Sequence, residues 1–98
     1  MADTPDFDMM IQQGLTLPDE KQIYANGFVV SMSPTDAIIV LQKNNKPVIS
    51  INLSHTIAKT LAQQLAGIIG NFEKETDIKI ATLTEVVEAV ENANKKRN

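Results

Sequence analysis

The sequence predicts an α+β fold: an antiparallel sheet of three strands, with a fourth as an option, followed by two amphipathic helices. Three observations predict it. Between Ile23 and Leu53, β-branched and aromatic residues gather in short runs separated by turn residues. From Ile57 onward, apolar residues recur at three- and four-residue steps. At the change of period stands Ser54, a residue suited to capping a helix. Ninety-eight residues, of which 43% are hydrophobic, suffice for one core built without metals or disulfides.

Residues 1–21 read as an N-terminal tail, partly disordered or docked on a partner. They hold Pro5, Pro18 and five acids, with an apolar cluster of Phe7, Met9, Met10, Ile11, Leu15 and Leu17 whose spacing supports one or two helical turns. A single α+β domain is expected over 22–94. Its first strand spans Ile23 to Met32, with Gly27 marking a bulge or kink. Ser33-Pro34-Thr35-Asp36 has the chemistry of a tight turn, because proline presets the second position and the serine hydroxyl bonds locally. A second strand follows over Ala37 to Gln42. Lys43-Asn44-Asn45-Lys46-Pro47 is polar, and two asparagines tolerate left-handed backbone, so a hairpin loop is expected there. The third strand, Val48 to Leu53, alternates Ile49, Ile51 and Leu53 with Ser50 and Asn52.

The helix capped by Ser54 spans His55 to Lys74, with an apolar stripe of Ile57, Ala58, Leu61, Leu65, Ile68, Ile69 and Phe72. Gly67 and Gly70 inside it mark close approach of another backbone or plain tolerance. Ile78 and Ile80 flank Lys79 as the optional fourth strand or a linker. Thr82 and Glu85 fit a reciprocal cap for a second helix, whose stripe is Leu83, Val86, Val87, Val90 and Ala93. Residues 95–98 form a basic C-terminal tail.

The chemical inventory is thin, and no catalytic, cofactor-binding or metal-binding residue is assigned. His55 sits beside Ser54 without the glycines of a nucleophile elbow, so it reads as a solvated or capping side chain. Asp3, Asp6 and Asp8 lack the glycine and terminal glutamate of a calcium loop. Tyr24-Ala25-Asn26-Gly27 has one glycine and cannot cradle a phosphate. Glu85, Glu88 and Glu91 read as a solvated helix face. The expectation is that the protein is not an enzyme and uses no cofactor. A net charge of −3 and a pI near 5.0 argue against nucleic acid and anionic membranes. Zero cysteines exclude thiol chemistry and disulfides. The first residues carry no basic flank or hydrophobic stretch of the secretory kind, and the expected compartment is the cytoplasm.

The sheet carries the strongest clue. Alternation puts Phe28, Val30 and Met32 on one face of the first strand and Ile23 and Val29 on the other. It separates Ile39 and Leu41 from Ile38 and Val40 in the second. Apolar residues on both faces call for cover on both. The candidate interface is Tyr24, Phe28, Val30, Met32, Ile38 and Val40.

The run Tyr24-Ala25-Asn26-Gly27-Phe28-Val29-Val30-Ser31, then Ser33-Pro34-Thr35-Asp36, then Ser54, Ala58-Lys59 and Phe72-Glu73-Lys74, resembles a bacterial family of small uncharacterised proteins. The resemblance spans Ile23 to Thr76 and implies the strand-turn-strand and serine-capped helix, with no activity attached. The expected function is a non-catalytic interaction or assembly module whose partner is itself, as a homo-oligomer, or another protein. A structural component of a phage or prophage particle falls in the same class. Two rival expectations are a ribbon-helix-helix DNA binder, from the strand-helix-helix order after Pro47, and a holdase chaperone similar in element order to SecB.

Overall fold

The computed structural model describes residues 6–97. Asp3 and Pro5 of the expected tail, and Asn98, lie outside the described residues. The fold is α+β. A three-stranded antiparallel sheet of order β1-β2-β3, formed by β1 (Gly27–Met32), β2 (Asp36–Lys43) and β3 (Lys46–Ser54), is followed by two helices, α2 (His55–Thr76) and α3 (Leu83–Arg97). The shorter helix α1 (Phe7–Leu15) precedes the sheet. The chain parts into two compact units, residues 1–58 and 59–98, with the boundary inside α2.

The first unit begins with a helix where the sequence reads as a tail. The Asp6 carboxylate accepts from the Met9 amide at 3.0 Å, which caps α1 and satisfies one of its free N–H groups. Gln22 closes the segment from the other side, its side-chain amide donating to the carbonyls of Gly14 at 2.7 Å and Leu17 at 3.3 Å. A 3-10 turn over Asp19–Lys21 lies between them. The first strand starts at Gly27, four residues after the expected Ile23, so Ile23 and Tyr24 precede the ladder.

Both hairpins form as their turn residues dictate. In the first, the Ser33 amide donates to the Asp36 carbonyl at 2.8 Å. The Ser33 hydroxyl accepts from the Asp36 amide at 2.9 Å. The second turns on Asn44 and Asn45, both left-handed, with φ of 53° and 69°. Two consecutive positive φ values match the right-handed twist of the flanking strands. Asn26 locks this turn from the first strand's side. Its side-chain amide donates to Asn44 Oδ1 at 3.0 Å, and its Oδ1 accepts from the Asn44 backbone amide at 2.9 Å. Irregularity concentrates at Gln42. Asn26 donates its amide to the Gln42 carbonyl while Gly27 faces Gln42 in the ladder, and the β2–β3 register shifts between Leu41 and Gln42. A Cβ on Gly27 would come within 3.3 Å of the Gln42 side chain.

The strand-to-helix junction is direct. The Ser54 hydroxyl accepts from the Ile57 amide at 3.2 Å, as a cap should. His55 Nε2 donates to the Ser33 carbonyl at 3.0 Å, so the single histidine ties the start of α2 to the first hairpin turn.

In the second unit α2 ends at Thr76, followed by Asp77 at a φ of 56°, the left-handed residue that commonly terminates a helix. Of the two options for Ile78–Ile80, the linker is the one that forms. The Ile80 amide, which a strand neighbour would need, donates instead to Glu73 Oε2 at 2.7 Å. The carboxylate thus fixes the path of the connection. Within the second unit, nothing beyond the helix's own backbone lies within 4 Å of a Cβ built on Gly67 or Gly70, so both positions have room for a side chain there. The reciprocal cap of α3 is complete. Thr82 donates its amide to Glu85 Oε1 at 3.0 Å, and the Thr82 hydroxyl accepts from the Glu85 amide at 3.2 Å. Lys95, Lys96 and Arg97, expected as a tail, form the last turn of α3, where cations complement the helix dipole.

Two predictions follow from these contacts. Asn26→Ala removes both bonds to the hairpin turn and should cost about 1 kcal/mol in chemical denaturation. Asn26→Asp keeps the acceptor only and should fall between the variant and the parent. An unchanged midpoint for Asn26→Ala would mean the clamp contributes nothing. The second concerns Glu85, whose carboxyl is held below the ordinary glutamate value by the Thr82 backbone amide first, then the Thr82 hydroxyl and the Lys79 charge. A lowered value in the folded state favours the ionised form. The cap is therefore at full strength above the ordinary glutamate range and is lost as pH falls through the lowered value. Carboxyl titration by NMR should place the Glu85 midpoint below that of an ordinary glutamate. Thr82→Ala should raise it only part of the way, because the backbone amide remains.

Candidate interaction surface

Residues directly opposite in an antiparallel ladder share a face. The registers Phe28↔Leu41, Val30↔Ile39 and Met32↔Ala37, continued by Leu41↔Ile49, Ile39↔Ile51 and Ala37↔Leu53, therefore gather nine apolar residues on one face of the sheet. The other face carries Val29, Ile38 and Val40, interrupted by Ser31, Ser50 and Asn52, which stand opposite Ile38, Val40 and Ile38 respectively. One face is wholly apolar and the other is mixed.

The six residues expected at an interface divide accordingly. Phe28, Val30 and Met32 lie on the apolar face. Ile38 and Val40 lie on the mixed face. Tyr24 precedes the ladder and belongs to neither. Ala37, Ile39, Leu41, Ile49, Ile51 and Leu53 complete the apolar face and were absent from that set. Alternation alone separates the two sides of a strand; only the pairing register says which sides coincide.

Exposure distinguishes the strands. Phe28, Val30 and Met32 on β1 are 65%, 65% and 67% exposed, whereas the central β2 is half-buried from Ile38 to Gln42. Ala37, at 8% exposure, is the one buried residue among those described. The stripes of the three helices are exposed as well: Phe7, Ile11 and Leu15 on α1, Leu61, Leu65 and Ile68 on α2, Leu83, Val86 and Val90 on α3. Scattered apolar residues on a surface need no explanation, but contiguous stripes and faces do.

The polar side chains singled out in the sequence act on the backbone. Asn26 clamps a turn, Ser33 shapes a turn, Ser54 caps a helix and His55 holds a carbonyl. Among the described residues, no three His, Asp or Glu side chains converge so as to hold a metal ion. No helix of the described residues is long and apolar enough to cross a membrane. No protein-family model, curated protein or solved structure matches the chain.

The difference between the two faces is testable. Ile51→Lys places a charge in the middle of the apolar face, opposite Ile39, and should lower stability by about 2 kcal/mol or more. Ser50→Lys places the same charge one residue away on the mixed face and should change stability by about 0.5 kcal/mol or less. Equal effects in urea denaturation would mean that the two faces do not differ in cover.

Proposed function

We propose that this protein is a non-catalytic assembly module that works as a homo-oligomer. The observation that supports this reading is the exposure of its apolar faces, with Ala37 alone buried among the described residues. Fully burying one large aliphatic or aromatic side chain is worth about 1.5–3 kcal/mol. The net stability of a whole domain is only about 5–15 kcal/mol. Phe28, Val30 and Met32 in the first unit, and Ile68 and Leu83 in the second, are uncovered by their own units, which forgo an amount on that scale. A second copy offers the same faces and stripes and so supplies matching cover, as the self-complementary interfaces of symmetric oligomers do.

The same exposed surface favours one second reading, a holdase that covers its faces with unfolded segments of other proteins. The two differ in what occupies the surface of the purified protein. In sedimentation equilibrium at micromolar concentration, the assembly reading predicts a mass of two subunits or a higher multiple, with full secondary structure. A folded monomer that takes up an unfolded client would favour the holdase. A folded monomer without client binding would remove both.

A further inference from the structure

We propose that the assembly is built by β1 pairing antiparallel with β1 of a second copy, about a twofold axis through Val30, into one continuous six-stranded sheet. This rests on the assembly reading above and adds the surface and the register. It draws on the edge of the sheet alone and is independent of what covers the faces.

Among the described strands, β1 and β3 are the two edges. They are not equivalent. The bond from the Ser33 amide to the Asp36 carbonyl makes that pair a hydrogen-bonded one. Hydrogen-bonded and non-hydrogen-bonded pairs alternate along an antiparallel ladder. Stepping by two, Ser31↔Ile38 and Val29↔Val40 are also hydrogen-bonded, so Phe28, Val30 and Met32 direct their N–H and C=O groups away from β2, to the free edge. By the same alternation, the residues of β3 that face its free edge are Ser50 and Asn52. That strand also begins with Lys46 and Pro47 beside a register shift, and a charge, a proline and an irregularity are the devices that keep an edge from pairing. The strand β1 reads Gly-Phe-Val-Val-Ser-Met, without a proline, and its irregularity at Gly27 lies before the outward-facing Phe28, Val30 and Met32. It bears no charge, so a second copy meets no like-charge repulsion.

The pairing must join outward-facing residues to outward-facing residues and keep the apolar faces on one side. Val30 opposite the partner's Val30 does both, and it places Phe28 opposite the partner's Met32. Three hydrogen-bonded pairs then form across the axis. The apolar face runs without a break through both subunits, with a thioether against an aromatic ring at each end of the contact. A register shifted by two residues in either direction leaves one outward-facing residue of each strand without its partner.

The chain has no cysteine, so Val30→Cys supplies a single thiol per subunit. Directly opposed Cα atoms in a hydrogen-bonded pair lie about 5.5 Å apart, within disulfide range. Mild oxidation should convert most of the Val30→Cys protein to a covalent dimer, whereas Ser50→Cys on the other edge should stay unlinked. Val30→Pro deletes an N–H that faces the free edge and serves no bond inside the subunit. Its solution mass should fall below that of the parent, while Ser50→Pro should retain the parental mass. Cross-linking through Ser50→Cys and not Val30→Cys would overturn the proposal, as would a parental mass for a folded Val30→Pro. Those results would leave the assembly reading standing; a monomeric parent would overturn both.

Discussion

Directly opposed residues of an antiparallel ladder must point the same way, and most of what this structure presents depends on that constraint. The strands β1, β2 and β3 each alternate, but alternation by itself makes no face. The face arises because Phe28 meets Leu41 and Leu41 meets Ile49, so three apolar sets fall into one plane. A slip of one residue at either hairpin would intersperse Ser31 or Ser50 among them. The register is fixed locally, by the Ser33–Asp36 turn at one end and by Asn44 and Asn45 at the other, with Asn26 reaching from the first strand to the second turn. The polar residues of this chain are accordingly structural. They set the phase in which the apolar ones are displayed.

That display leaves much apolar surface uncovered. A domain stabilised by its own core buries many large side chains, and here Ala37 is the one buried residue among those described. The helices follow the same pattern. Each is capped at its N-terminus, by Asp6, by Ser54 and by the Thr82–Glu85 pair, while its stripe is left exposed. Caps contribute about 1 kcal/mol apiece and fix where helices start. They do not replace the burial of a stripe. Well-specified local structure combined with exposed apolar surface is the condition in which an added chain gains most from binding.

Much of this was legible in the residues. Turn chemistry at Ser33-Pro34 and Asn44-Asn45, the caps at Ser54 and Thr82, and the change of apolar period at residue 54 are all local signals, and each is realised within a few residues. Where sequence and structure part, the competing interaction is specific. The one or two turns that the spacing supports extend to the nine-residue helix Phe7–Leu15, capped by Asp6 and closed by Gln22 on the carbonyl of Gly14, a contact eight residues away that periodicity cannot reveal. Ile78–Ile80 takes the linker option of the two the sequence left open, with the Glu73 carboxylate holding the Ile80 amide. Alternation separated Ile38 and Val40 from Ile39 and Leu41, but it did not say that Phe28, Val30 and Met32 share the face of Ile39 and Leu41. Register is a relation between strands, and one strand's pattern does not contain it. Asn26 and His55 had a weaker signal still: one read as part of the first strand and the other as a solvated or capping side chain, and their roles depend on partners 18 and 22 residues away.

If folding and association are one equilibrium, stability must depend on protein concentration by mass action. The most direct measurement is the thermal midpoint of the unmodified chain across a hundredfold range of concentration, followed by far-ultraviolet circular dichroism. Coupled folding and assembly predicts a midpoint that climbs steadily as the protein is concentrated. A cooperative transition at one fixed temperature throughout that range would show that a lone chain supplies its own stability, and would contradict the central claim.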